Sequence, residues 1–302
     1  MMLKRYIRTF GTLLTLGLIA ILLVGCSSKT TATRHPHQIN VVASLDFYGE
    51  TAKAVLGDKG TVTSIIDKPS MEPHEFEPTT NTAKQVANAD VIVYNGLGYD
   101  TWMNRLSADN TGTTKINVAQ GLMNKHNGEN EHIWYDMKTM PKLANALAAQ
   151  FTKRQPQNKA YFKQNAKRYI RSLEPLAKKV SQLRANSHHA SVNVSEPVFD
   201  YTLTEMGYHQ NNNHYAQAVQ NDTDPSPKDI KQMQADIRQR KIAFFVVNTQ
   251  EMSKMTTNLV SLAKDSGVPI VRVTESQPAG TTYKTWMMRQ LDQVQKAQEY
   301  ER

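Results

Sequence analysis

Residues 157–184 read QNKAYFKQNAKRYIRSLEPLAKKVSQLR. Phe162, Ala166, Tyr169, Leu173, Leu176, Val180 and Leu183 recur at alternating spacings of four and three, which predicts one helix with a continuous apolar stripe. At about 1.5 Å per residue such a helix is roughly 42 Å long. That is more than one small lobe needs, so it suits a stiff spine between two lobes. Pro175 falls inside the pattern; it must kink the helix or be tolerated at a cost of about 3 kcal/mol. The competing use of the stripe is a coiled-coil dimer. No sustained charge code flanks it, so a monomer is expected.

The segments on either side share a pattern. Ahead of the spine, strand-like runs at Ile39 to Leu45, Val62 to Ile66, Val91 to Tyr94 and Lys115 to Val118 alternate with helical stretches. Asp46 is placed to cap the first helix, and Gly57 to end it. Behind the spine, Ala190 to Val194, Ile242 to Val247 and Ile270 to Val273 are strand-like, again separated by helices. Ser226-Pro227 opens one of those helices with cap and proline in the favoured order. The polar, Asn-rich segment 210–224 reads as an exposed loop. The fold class is therefore α/β: two lobes, each a mostly parallel sheet flanked by helices, joined by one long rigid helix. The expected division is an N-terminal lobe at 39–156, a linking helix at 157–186 and a C-terminal lobe at 187–302.

Residues 1–25 differ from the rest. Lys4, Arg5 and Arg8 precede the apolar run Leu13 to Val24, as in a secretory leader, and the run is short for a membrane span. Leu23-Val24-Gly25-Cys26 looks like a bacterial lipobox, in which Cys26 carries the lipid. A plain leader with an incidental cysteine is the competing reading. Cys26 is the only cysteine in the chain, so no disulfide is available. Two acyl chains on that thioether meet the threshold for stable anchoring. Residues 26–38 are Ser/Thr-rich and read as a flexible tether, with His35 and His37 as solvated members. Removing the leader takes three positive and no acidic residues, so the formal charge falls from +9 to +6. A basic balance invites nucleic acid, but no Lys/Arg stripe interleaved with aromatics accompanies it. Weak attraction to an anionic envelope explains the charge more simply.

Chemistry gathers in four places. Met71-Glu72-Pro73-His74-Glu75-Phe76-Glu77-Pro78 is a loop stiffened by two prolines around one imidazole. His132 sits in a second loop, and Glu196 and Glu275 each follow a β-like run. Carboxyl ends of parallel strands are where open α/β sheets bind ligands. Two imidazoles and two carboxylates without sulfur suit manganese, iron(II) or zinc better than copper(I). Glu72, Glu75 and Glu77 are either an outer shell around His74 or a solvated face. His188-His189 reads as a cationic helix end, and His209 and His214 as solvated. Gly96-Leu97-Gly98 lacks the third glycine of a dinucleotide fingerprint and reads as a turn.

The lipobox, Pro73-His74-Glu75-Phe76-Glu77-Pro78, His132-Ile133-Trp134, Ser195-Glu196-Pro197 and the midpoint helix together resemble the manganese/zinc-binding lipoprotein receptors of ABC transporters. The resemblance covers nearly the whole mature chain. It implies an extracytoplasmic, membrane-anchored receptor that holds one Mn2+ or Zn2+ between its lobes through His74, His132, Glu196 and Glu275. It also implies delivery of that ion to a membrane permease for uptake. Departures exist: Glu131 stands where the family often has proline, Tyr135 and Met137 replace leucine and proline, and Glu275 replaces a frequent aspartate. Two flexible carboxylates favour manganese, while a glutamate in the fourth place looks more like some zinc receptors. Two other functions fit the same residues. A metallohydrolase would use Glu75 or Glu77 as general base beside a metal-bound water, and needs an open coordination position. A surface adhesin would carry the metal structurally.

Overall fold

The computed structural model describes residues 38–300. The leader, Cys26, His35, His37 and all of the tether but its last residue lie outside the described residues.

Four parallel strands form the first sheet: β1 (Ile39–Leu45), β2 (Gly60–Ile66), β3 (Val91–Tyr94) and β4 (Thr114–Asn117), in the order β2-β1-β3-β4. Helices α1 (Asp46–Leu56), α2 (Thr80–Ala87), α3 (Thr101–Leu106) and α4 (Thr139–Arg154) complete this lobe. Every residue of β3 is buried, as expected of a central strand covered on both faces. Asp46 is the first residue of α1 rather than its cap; its carboxylate accepts the Phe47 N–H at 2.8 Å. Thr79 caps α2 through a reciprocal pair with Thr82.

The spine is α5 (Lys159–Ala185). All seven residues of the expected stripe are buried, and the helix runs unbroken through Pro175, which faces solvent. It is anchored to α1 at two points. Tyr169 Oη and Thr51 Oγ1 of α1 lie 2.9 Å apart, and Asn165 donates to the Val55 carbonyl at 3.1 Å.

Beyond the spine, β5 (Ser191–Val194), β6 (His209–Gln210), β7 (Phe245–Asn248) and β8 (Ile270–Val273) form a second parallel sheet, ordered β6-β5-β7-β8. The connectivity is that of the first sheet repeated. Helices α6 (Asp200–Glu205), α7 (Asn213–Gln220), α8 (Pro227–Arg238), α9 (Lys254–Asp265) and α10 (Tyr283–Tyr300) belong to this half. Segment 210–224 is therefore not a loop throughout. Its first residue pairs with β5, and α7 follows, burying Tyr215 and Ala216. Asn212 explains the entry into that helix, since its amide accepts from Val194 N at 3.0 Å and donates to Val194 O at 2.7 Å. An asparagine run conceals such a helix because its side chains spend their hydrogen bonds on backbone.

One apolar core extends through both lobes, from β1 through the spine to α10. A smaller second core fills the space between α7, α8, α9 and β7. No helix among the described residues is long and apolar enough to cross a membrane.

Candidate metal centre

The loop after β2 carries His74. Trp102 of α3 pins it: the indole N–H donates to Pro73 O at 3.2 Å, and the ring packs 4.7 Å from Phe76. Glu72 closes the turn by accepting the His74 N–H at 3.2 Å. The imidazole stays partly open to solvent and donates from Nε2 to Glu131 Oε1 at 3.0 Å. That same Glu131 oxygen accepts Gln220 Nε2 of α7 at 2.8 Å, linking the two lobes.

His132 lies deeper and has no exposed surface. Its Nδ1 faces Asn130 Oδ1 at 2.9 Å, which fixes the ring and leaves Nε2 on the side of Glu275. Nε2 has no hydrogen-bond partner; the nearest carboxylate oxygen is Glu275 Oε1, at 3.7 Å. A buried imidazole nitrogen without a partner costs free energy unless something else takes its lone pair.

Glu196 and Glu275 are both almost fully buried and follow β5 and β8, on either side of β7. Asn248, at the end of β7, donates to Glu196 Oε2 at 2.7 Å. Tyr99 donates to Glu275 Oε1 at 2.8 Å from the first lobe. Tyr99 is held by an unusual turn, in which Gly96, Leu97 and Gly98 are all left-handed and the Asp100 carboxylate accepts the Asn95 and Gly96 N–H groups. The pair of glycines therefore serves a turn, as its sequence suggested.

Three of the four residues, His74, Glu196 and Glu275, thus line one cleft at the sheets' carboxyl ends, and His132 is buried behind it, beside Glu275. The cleft has a volume of about 890 Å³, and His74, Glu196 and Glu275 are on its wall with Glu72, Glu75 and Glu251. Ligand atoms of Glu72, His74 and Glu275 lie within 4.8 Å of one another. Glu75 is exposed at the cleft's rim, and Glu77 is exposed to solvent away from the lining. Glu72 and Glu131 are the members whose part in the site the sequence understated. An acidic residue beside a proline or histidine looks solvated until the opposite lobe is in place.

Charges in the cleft perturb one another. Burial and the nearby Glu275 charge raise Glu196 to about 7, and the same two causes raise Glu72 to about 7. Burial pulls His74 down, but Glu131 outweighs it with help from Glu72 and Glu275, so its pKa rises to about 9. His132 is raised as well: burial lowers it, and Glu275 outweighs burial. Burial pushes Glu275 up, yet His132 and the Tyr99 hydroxyl hold it below the usual carboxylate range. Glu72, Glu196 and both imidazoles are thus shifted towards their protonated forms, and Glu275 towards its charged form.

Residues 41–297 match the family described as ZnuA, zinc-uptake complex component A periplasmic. A manganese ABC transporter substrate-binding lipoprotein, PsaA, of Streptococcus pneumoniae is 27% identical over 313 residues, spanning 95% of this chain and 98% of the relative. An iron ABC transporter substrate-binding lipoprotein, MtsA, of Streptococcus pyogenes is 28% identical, spanning 92% and 94%. Among solved structures, the periplasmic zinc-binding protein TroA of Treponema pallidum superposes with a TM-score of 0.70 at 20% identity, covering 85% of this chain and 98% of that one. A manganese-bound periplasmic metal-binding protein from Candidatus Liberibacter asiaticus gives 0.67 at 18% identity, with the same coverage of 85% and 98%. The two-lobed fold with its long helix is shared with these proteins, and the chain belongs to the ZnuA family of metal ABC transporter substrate-binding proteins.

Proposed function

We propose that this chain captures one divalent transition-metal ion outside the cell membrane through His74, His132, Glu196 and Glu275, and hands it to an ABC permease. The observation that carries this reading is His132 Nε2, fully buried, without a hydrogen-bond partner, and 3.7 Å from Glu275. An ion between them would satisfy both. The metal is cargo, not a catalyst. Four protein donors leave no open position for a water nucleophile, so the hydrolase reading lacks the metal-bound water on which a general base would act. Manganese is the proposed cargo: two carboxylates can each bind through one or two oxygens, which suits a higher coordination number than closed zinc sites adopt. The remaining parts of the proposal are a leader at 1–25, a lipid on Cys26, a tether to residue 38, lobes at 39–156 and 187–302 joined by the helix at 157–186, and action as a monomer.

The test is elemental analysis of protein purified from its native envelope, because zinc outranks manganese at such donors in vitro whatever the physiology. Near-stoichiometric manganese in the membrane-derived protein is expected, with none in His132→Ala or His74→Ala. A metal-free wild type, or full occupancy in either variant, contradicts the site. Cys26→Ala should move the protein out of the membrane fraction.

A further inference from the structure

Two groups of donors exist in the cleft, and they share one residue. The outer group is Glu72, His74 and Glu275, whose ligand atoms already lie within 4.8 Å of one another. Glu72 and His74 are partly exposed on the wall of the open cleft, so an ion reaches them from solvent. The inner group is His132, Glu196 and Glu275, all with under a tenth of their surface exposed. Its unpartnered His132 Nε2 lies 3.7 Å from Oε1 of Glu275, the residue common to both groups. Glu72 belongs to the outer group alone. It is built into that place, since it accepts the His74 N–H at 3.2 Å and the preceding turn closes with Met71 N donating to Lys68 O at 3.0 Å.

We infer that metal capture has two stages: the ion first binds Glu72, His74 and Glu275, then moves inwards as His132 and Glu196 take the place of Glu72. The inference rests on the proposed receptor function and adds a transient ligand to it. Metals exchange fastest when each lost ligand is replaced as it leaves. Passage from water to a buried shell without an intermediate carboxylate would leave a partly dehydrated dication short of ligands on the way. Glu275 never lets go.

The test uses full-length protein in detergent and Mn2+ as probe, followed by stopped-flow tryptophan fluorescence. Trp134 lies 5.2 Å from His132 and reports arrival at the inner group. Glu72→Gln should slow association at least tenfold and slow dissociation by a similar factor, leaving equilibrium affinity within about threefold. Glu72→Asp should recover most of the rate. Glu75→Gln removes another carboxylate from the same cleft and should leave the rate within about twofold. The slowing in Glu72→Gln should persist in high salt, where attraction between exposed charges is screened. An unchanged association rate overturns the inference, and so does equal slowing by Glu75→Gln, which would mean steering by charge. Affinity lost through faster dissociation alone would make Glu72 a permanent ligand and also overturn it. A wild type that binds no Mn2+, or a His132→Ala variant that binds it fully, is instead a failure of the receptor reading itself.

Discussion

Glu196 keeps its proton to about 7 because it is buried beside Glu275, and Glu72 does so for the same reasons. In the unfolded chain each would ionise near its ordinary value of about 4.5. Raising pH from about 5 to 7 therefore deprotonates the unfolded state first, so these groups make the metal-free protein less stable as pH rises. His74 acts in the same direction. Its folded pKa of about 9 exceeds the ordinary 6.5, so its contribution is full below pH 6.5 and is lost on the way to 9. The metal-free protein should thus melt at progressively lower temperature from pH 5 to pH 9. Metal affinity should run the opposite way, because the ion replaces those protons, and should fall at least tenfold from pH 7 to pH 6. Calorimetric melting of metal-free protein and titration with Mn2+ across that range check both slopes. A metal-free protein that gains stability from pH 5 to 9 would contradict the charge arrangement. The proposed ligands were visible in sequence because each sits just past a strand or in a loop between elements, where chemistry gathers at a parallel sheet. The roles of Tyr99 and Gln220 were not visible. Tyr99 meets Glu275 from 176 positions away, and Gln220 meets Glu131 only because α7 forms.

At the scale of elements, the alternation of strands and helices was legible because buried parallel strands are short apolar runs between punctuating glycines and prolines. The spine was the clearest of all: each stripe residue is buried as its spacing requires. Segment 210–224 was obscure because α7 buries only Tyr215 and Ala216. Pro175 had two outcomes open to it, and the chain takes the unbroken helix. A proline in a helix interior costs about 3 kcal/mol through a lost hydrogen bond and a clash with the preceding turn. Removing it returns some entropy to the unfolded chain, which offsets roughly 0.4–1 kcal/mol. Because Pro175 faces solvent, so that no packing is lost with it, Pro175→Ala should stabilise the protein by about 2 kcal/mol. For a chain of this size that corresponds to a rise in melting temperature of about 5 °C. Denaturant titration of the metal-free variant measures it, and a loss of stability would mean that the proline sets a bend on which spine packing depends.

Across the whole molecule, the two sheets are joined by more than the spine. The Tyr135 hydroxyl, in the loop of the first half, lies 2.5 Å from Thr274 O and 2.8 Å from Gln290 Oε1, its one proton facing both acceptors. Tyr283 of α10 donates back to Trp134 O at 2.6 Å, and Thr202 of α6 donates to Tyr135 O at 2.7 Å. Around these bonds Phe47, Trp134 and Trp286 form an aromatic cluster, Phe47 lying 5.1 Å from Trp134 and 5.8 Å from Trp286. Each hydroxyl pairs with a buried acceptor, so separating the halves would leave polar groups unsatisfied as well as apolar surface wet. The apolar core is accordingly continuous from β1 to α10. Independent lobes on a flexible linker would unfold in two steps; halves sharing one core should unfold in one. Calorimetry of the metal-free protein is expected to give a single transition whose van't Hoff and calorimetric enthalpies agree. Mn2+ at about a thousand times its dissociation constant should raise the unfolding free energy by about 4 kcal/mol without splitting that transition. The added stability must reach both halves, because the proposed ligands come from both and the core transmits the constraint. Two resolved transitions, with only the later one moved by Mn2+, would show that the lobes fold separately and that the metal is held by one of them.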